Sequence, residues 1–260
     1  VKVPPVTETL VLLGVIAFVS GLIDAAVGGG GLIQIPGLFN VLPQSTAPAT
    51  VFGTNKFSSI CGTAIASRQY VRRVRLPWSL VLPAAVCAFA FAFVGATAVS
   101  LIPKEVLKPI ILALLIAMAG YTFMKKDFGH LHKPKEITAR ERWMAAALGA
   151  AIGFYDGLFG PGTGSFLAFL FIRCFAFDFL HASASAKVVN LATNLASLAF
   201  FIPSGHILWW AALPMAACNM AGGMVGARLA IRGGVKLIRV LFLILSMVLI
   251  GKFGADLFWH

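Results

Sequence analysis

The segment GLIDAAVGGGGLIQIP, residues 21–36, decides how the rest of the chain is read. It places four consecutive glycines just after Asp24, the only charge in an otherwise apolar stretch. Each glycine in a helix interior costs roughly 1 kcal/mol relative to alanine, so this run predicts a break rather than a continuous helix. A second segment, GFYDGLFGPGTGSF at 153–166, repeats the order: Gly21, Asp24, Gly28 and Gly30 recur 132 residues later as Gly153, Asp156, Gly160 and Gly162. At a spacing of 131, Lys56 recurs as Lys187, Pro83 as Pro214, and Val94, Gly95 and Ala96 as Val225, Gly226 and Ala227. One residue of slippage over so many landmarks indicates an internal repeat, a unit of about 125 residues used twice.

The composition says where such a unit resides. Of 260 residues, 59% are hydrophobic and 12% charged, with a mean hydropathy of +0.91. A soluble domain carries about 25% charged residues. This chain therefore has too little polar surface to coat a globule in water, and an integral membrane protein is predicted. The apolar runs recur throughout, so a cleaved leader on a soluble domain does not explain them.

Eight long apolar runs lie at 8–27, 48–71, 77–102, 105–124, 142–160, 182–202, 207–230 and 235–258. Each approaches or exceeds the ~20 residues that cross the hydrocarbon core as a helix. Two shorter apolar pieces, 31–42 and 163–177, follow the glycine breaks and read as re-entrant or short, broken spanning helices. The predicted fold is all-α and integral to the membrane, with two homologous repeats. Each repeat has four full transmembrane helices and one short broken or re-entrant helix. Residues 1–124 form the first repeat, 125–141 a cytoplasmic connecting loop, and 142–260 the second repeat.

The net charge of +12 does not point to nucleic acid, because the basic residues form short clusters between apolar runs. With five crossings per repeat, one side of the membrane collects Arg68, Arg72, Arg73, Arg75, Lys125, Lys126, Lys133, Lys135, Arg140, Arg142, Arg173, Arg228, Arg232, Lys236 and Arg239. The other side holds Lys2, Lys104, Lys108 and Lys252. With four crossings, the Arg228–Arg239 cluster falls outside, against the positive-inside rule. The bias favours an inverted repeat with the central loop in the cytoplasm.

Charges inside the predicted spans are few: Asp24, Lys56, Asp156 and Lys187. An ionised group near the bilayer centre costs at least about 2.5–3.5 kcal/mol, and such groups mark substrate or ion paths. One alternative is that each Asp pairs with the Lys of its own half and only joins helices; another is that the charges snorkel to an interface. Beside Lys56 stand Thr54 and Asn55; beside Lys187, Asn190 and Asn194 fall at i+3 and i+7, on the same helical face. Ammonium and amide N–H donors together suit an oxyanion; the alternative is interhelical hydrogen bonding by Asn, Ser and Thr, which is common in membrane bundles and is the reading preferred for Ser183 and Ser185. After Gly29, Gly30 and Gly31 a half-helix is expected to restart at Leu32, and after Gly162, Thr163 and Gly164 around Ser165. Free N–H groups at those ends would attract an anion. Gly95 and Gly226 read instead as close helix packing. Asp24 and Asp156 are assigned a proton relay or the positioning of the lysines.

No metal site or cofactor is indicated. The cysteines (61, 87, 174 and 218) are dispersed without a CxxC pair, and they read as small apolar fillers. His130 and His132 lack partners spaced for zinc, and neither glycine run completes a P-loop or a dinucleotide fingerprint.

The segments at 21–36 and 153–166, Thr54-Asn55-Lys56, SASAKVVNLATN at 183–194 and VGARLAIRGGVKLIRVLF at 225–242 together resemble the TauE/SafE family of membrane permeases over nearly the whole chain. The resemblance implies a multi-pass protein of the inner, cytoplasmic membrane that exports sulfite, organosulfonates and related sulfur-containing anions. The expected function is secondary transport of a small oxyanion by alternating access around a midplane site at the repeat interface, with H+ as coupling ion. Its partners are the small anion and the lipid bilayer, and no nucleic acid. A passive anion channel is the alternative. An integral-membrane enzyme is a weaker one, since Asp178 with His181 is the nearest approach to a catalytic group and lacks a third member.

Overall fold

The computed structural model describes residues 6–99 and 136–233, with isolated positions between 102 and 120 and at 240, 244 and 247. The runs expected at 105–124 and 235–258 lie outside the described residues apart from those positions, as do 125–135 of the connecting loop. So do Lys2, Lys104, Lys108, His130, His132, Lys236, Arg239, Lys252 and His260.

Among the described residues the secondary structure is all helical. The helices are α1 (Val6–Val27), α2 (Gly31–Val41), α3 (Pro48–Val71), α4 (Trp78–Val99), α5 (Ala139–Leu158), α6 (Thr163–Phe175), α7 (Phe179–Phe201) and α8 (Trp209–Ile231). The starts have local causes. Pro48 opens α3 at a position where its missing N–H costs nothing. Thr138 and Glu141 form a reciprocal capping box at the start of α5. Asp178 caps α7, accepting the His181 backbone N–H at 2.8 Å.

At 1.5 Å per residue, α2 (11 residues) and α6 (13 residues) are about 16 and 20 Å long, short of the ~30 Å hydrocarbon core. After the break, α2 doubles back along α1. Gly37 lies against the Ile16 side chain, and the Ser20 hydroxyl donates to the Gly30 carbonyl at 2.9 Å.

Six of the helices have 20 or more residues, but only two are also apolar enough to cross a membrane on composition alone. These are Thr7–Val27, with mean hydropathy 2.5, and Trp78–Val99, with 2.2. The six described runs of the eight expected are all helices, four of them more polar than composition alone allows for a span. The reason is position: α3 and α7 lie inside the bundle, and they bury Thr54, Asn55, Lys56, Ser58, Thr63, Ser185, Lys187, Asn190, Thr193, Asn194 and Ser197. The apolar side chains that soluble proteins hide are on the outside, among them Val11, Val15, Leu82, Val86, Phe91, Leu213 and Met220. Exposed Trp78, Trp209 and Trp210 stand at helix starts, where an aromatic belt meets the headgroups.

The helices pack in matched sets: α1 lies along α8 and α5 along α4, while α3 packs on α7 and α8, and α7 on α3 and α4. Near the start of α3, Thr50 Oγ1 and His206 Nδ1 lie 3.2 Å apart. Thr54 Oγ1 accepts the Leu208 N–H at 3.0 Å. Both partners follow the end of α7, so α3 and α7 run antiparallel. Gly95 and Gly226 occupy equivalent seams, as expected. A Cβ on Gly95 would fall 2.3 Å from the Phe154 carbonyl oxygen, and one on Gly226 2.1 Å from that of Leu22. Only glycine lets these helix backbones approach so closely.

Candidate functional site

The two glycine breaks meet each other. Gly28 and Gly160 both adopt the left-handed conformation, at φ +83° and +84°, which L side chains rarely tolerate. Across the seam, the Ser165 N–H donates to the Gly28 carbonyl at 3.2 Å, and the Ser165 hydroxyl donates to the Val27 carbonyl. The half-helices start at Gly31 and Thr163 rather than at Leu32 and Ser165.

Their first amides are less free than the sequence suggests. The Leu32 N–H turns back to the Gly29 carbonyl at 3.1 Å, the Ile33 N–H to Gly30 at 3.0 Å, and the Thr163 N–H to Gly160 at 3.3 Å. Backbone groups at buried helix ends need partners; these three amides find theirs within their own break, and Ser165 of the second break finds its partner in the first.

Next to this seam the four charges singled out by the sequence pair crosswise. Lys56 of α3 donates to Asp156 Oδ2 of α5 at 2.6 Å, with side-chain exposures of 3% and 2%. Lys187 of α7 donates to Asp24 Oδ2 of α1 at 2.6 Å, with exposures of 3% and 18%. Pairing within each half, the alternative left by the sequence, is thereby corrected: each lysine reaches the aspartate of the other half. The antiparallel arrangement of α3 and α7 carries each lysine away from its own glycine break and toward the opposite one.

The two pairs differ in their surroundings. Asp156 is held on both oxygens, since Oδ1 accepts the Thr163 hydroxyl at 2.6 Å while Oδ2 takes Lys56. The Thr163 hydroxyl also reaches the Gly160 carbonyl at 2.9 Å. Lys187 has a second acceptor in the Asp24 backbone carbonyl, whereas Lys56 donates to Asp156 alone among the described residues. Thr63 Oγ1 lies 3.5 Å from Asp24 Oδ2. It sits seven residues beyond Lys56, as Asn194 sits seven beyond Lys187. Extending the i, i+7 face to the first lysine would have found it.

The remaining predicted residues divide. Thr54 is fully buried but spent elsewhere, donating to the Thr50 carbonyl at 2.7 Å and anchoring the start of α8. Asn55 is buried with its Oδ1 unpartnered, as is the Ser58 hydroxyl. Asn190 Nδ2 donates to Thr193 Oγ1 at 3.3 Å within α7, and Asn194 is 3% exposed. Asp178 and His181 form a helix cap with the imidazole Nδ1 2.8 Å from the carboxylate, a local structural pair. Gln34 is a buried residue that the sequence reading passed over. It accepts from Asn219 Nδ2 at 2.8 Å, while its own Nε2 has no partner.

An ammonium closed off from water and engaged by one carboxylate retains unused N–H donors in a low-dielectric site. There a second anion is strongly attracted, provided that the aspartate yields.

The comparisons with known proteins agree on what kind of protein carries this geometry. The profile of the family described as "Sulfite exporter TauE/SafE" matches residues 13–253. The chain is 36% identical over 247 residues to the "Probable membrane transporter protein ORF9" of Sinorhizobium sp, covering 95% of this chain and 93% of that protein. It is 32% identical over 248 residues to the "Probable membrane transporter protein YfcA" of Escherichia coli K12, covering 94% and 90%. A "Probable membrane transporter protein" of Haemophilus influenzae is 31% identical over 256 residues, with 97% of both chains covered. No solved structure matches the chain. With the family profile spanning nearly the whole sequence, this chain belongs to the sulfite exporter TauE/SafE family of membrane transporters.

Proposed function

We propose that this transporter moves small sulfur-containing oxyanions, such as sulfite or organosulfonates, out of the cell by secondary alternating access. The carrying observation is the crossed pair of buried ammonium groups, Lys56 and Lys187, each held by an aspartate of the other half beside a glycine break. The name of the family, sulfite exporter, supplies the sulfur chemistry. Two inverted repeats, 1–124 and 142–260, joined by a cytoplasmic loop at 125–141 in the inner membrane, account for the antiparallel α3 and α7 and the matched packing of α1 on α8 and α5 on α4. Rocking one repeat against the other then exposes the midplane site to either side in turn.

The chain's own residues suggest the sequence of events. Asp24 is the reachable carboxylate of the four charges, at 18% exposure. A proton delivered there cancels its charge and frees Lys187 Nζ for an oxyanion, with Asn190 and Asn194 on the same face to orient it. In the opposite conformation Asp156 and Lys56 exchange roles with them, and Asn55 is the neighbouring amide. Export of an anion from a negative interior is favoured by about 2.3 kcal/mol per charge per 100 mV.

Labelled-sulfite flux in proteoliposomes tests the reading. Lys56→Ala and Lys187→Ala are each expected to lower flux about tenfold or more, the loss of roughly 1.4 kcal/mol. Wild-type flux in both variants removes the lysines from the site. An imposed proton gradient is expected to concentrate sulfite; a passive channel only dissipates its gradient.

A further inference from the structure

The ends of α3 and α8 line an open cavity of about 390 Å³ whose wall carries five arginines: Arg68, Arg72, Arg73, Arg228 and Arg232. That volume falls within the range of small-molecule sites. Among the described residues no carboxylate lines it and none of the five arginines forms an ion pair. Four of them have an ordinary explanation taken singly. Arg68 and Arg228 lie in the last turns of α3 and α8, and Arg72 and Arg232 are the C-cap residues of the same helices, where a cation complements the helix dipole. Arg73 exceeds that need, and the dipole does not account for all five meeting at one wall. A general excess of cytoplasmic cations scatters charge over loops, whereas these converge on one hollow.

The equivalent place at the other end of the molecule is built differently. Gln69 and Met224 join α3 to α8 at the cavity wall, with Gln69 Nε2 donating to the Met224 carbonyl at 3.3 Å. The positions 131 residues away from them are Phe200 and Phe93, whose rings meet edge to face with centroids 6.4 Å apart. Arg68 and Arg228 correspond likewise to Ala199 and Thr97. Where one pair of positions brings two aromatic rings together, its counterpart is lined, among the described residues, with guanidinium groups.

We infer that this cavity is a binding site for a phosphate group bearing more than one hydrogen-bonding oxygen, supplied either by an anionic lipid headgroup or by a soluble phosphate ion. Guanidinium forks match phosphate oxygens in pairs, and basic pockets between helices on the cytoplasmic side suit anionic headgroups. The site lies at the helix ends and does not include Lys56, Lys187 or their aspartates, so it stands independently of the transported anion.

Thermal unfolding of the purified full chain in a non-ionic detergent, titrated separately with short-chain phosphatidylglycerol, short-chain phosphatidylcholine and inorganic pyrophosphate, tests the site. Ligand bound to the folded form raises the midpoint. Phosphatidylglycerol or pyrophosphate is expected to raise it, and phosphatidylcholine is not. Response to the lipid alone assigns the headgroup as source, and response to pyrophosphate, with or without the lipid, assigns the phosphate group itself. The Arg72→Gln/Arg228→Gln variant is expected to need about tenfold more ligand for the same shift. Arg75→Gln, outside the cavity, is expected to respond as wild type. The inference is overturned if neither ligand stabilises wild type, if the double variant responds like wild type, or if Arg75→Gln loses as much as the double variant.

Discussion

Replacing Asp156 by asparagine leaves Lys56 with its ammonium in place and no counter-ion. Both side chains of that pair are at most 3% exposed, at an N–O distance of 2.6 Å. Removing one partner of such a pair costs about 3–5 kcal/mol, because the desolvation of the remaining charge is no longer offset. Asp24→Asn is milder for two reasons on the other side of the seam. Asp24 is 18% exposed, and Lys187 keeps the Asp24 backbone carbonyl, which the substitution does not remove. Its expected cost is about 1–3 kcal/mol.

Removing both charges of the closed pair, as Lys56→Met with Asp156→Asn, is expected to restore most of the loss, since no unpaired ion remains. A double-mutant cycle on unfolding midpoints in one detergent then gives a coupling of about 2 kcal/mol or more for Lys56 with Asp156. For Lys56 with Asp24, in the same half of the chain, the coupling stays within about 0.5 kcal/mol. A large Lys56–Asp24 coupling with a small Lys56–Asp156 one would refute the crossed pairing. Equal costs for the two Asp→Asn variants would refute the argument from burial.

Other substitutions probe the seam and the helix ends. Gly28→Ala is expected to yield little folded protein on fluorescence-detected size exclusion, because its Cβ would lie 2.2 Å from the Ser165 amide nitrogen. At Gly160 the nearest atoms are Asp156 Oδ1 and Lys56 Nζ, each at 3.1 Å, so Gly160→Ala should fold with a cost of about 1–2 kcal/mol from its left-handed φ. Thr54→Val removes the acceptor of the Leu208 N–H, with an expected loss of about 1 kcal/mol in stability. Thr54→Ser should retain it, and sulfite affinity unchanged in Thr54→Ser but lost in Thr54→Val at equal stability would make Thr54 a substrate ligand instead. Asp178→Ala should cost about 1 kcal/mol through the lost cap on α7, while Asp178→Asn keeps the cap; equal melting of the two variants would contradict that role.

The sequence by itself determined the class of the protein and the chemistry available to it. Hydropathy and the sparse charge required a membrane, and the recurrence of Asp24, the glycine run and Lys56 as Asp156, Gly160 and Lys187 located the polar centre. Helix limits such as Pro48–Val71 followed because proline, glycine and cap residues act within a few residues of themselves. The tertiary structure decided which charge meets which. The recurrence of the same residues at a spacing of 131–132 makes both aspartates equivalent partners for each lysine, and only the antiparallel packing of α3 and α7 selects the crossed pairs.

The same holds for Gln34 with Asn219: the positions corresponding to them are Phe166 and Ala88, so the repeat carried no sign of that contact. The glycine run of residues 28–31 announced a helix break from its lack of side chains. That Ser165 of the second break would donate to the Gly28 carbonyl and to the Val27 carbonyl just before the run depends on two distant segments meeting, and bonds between distant segments are set by packing rather than by local sequence.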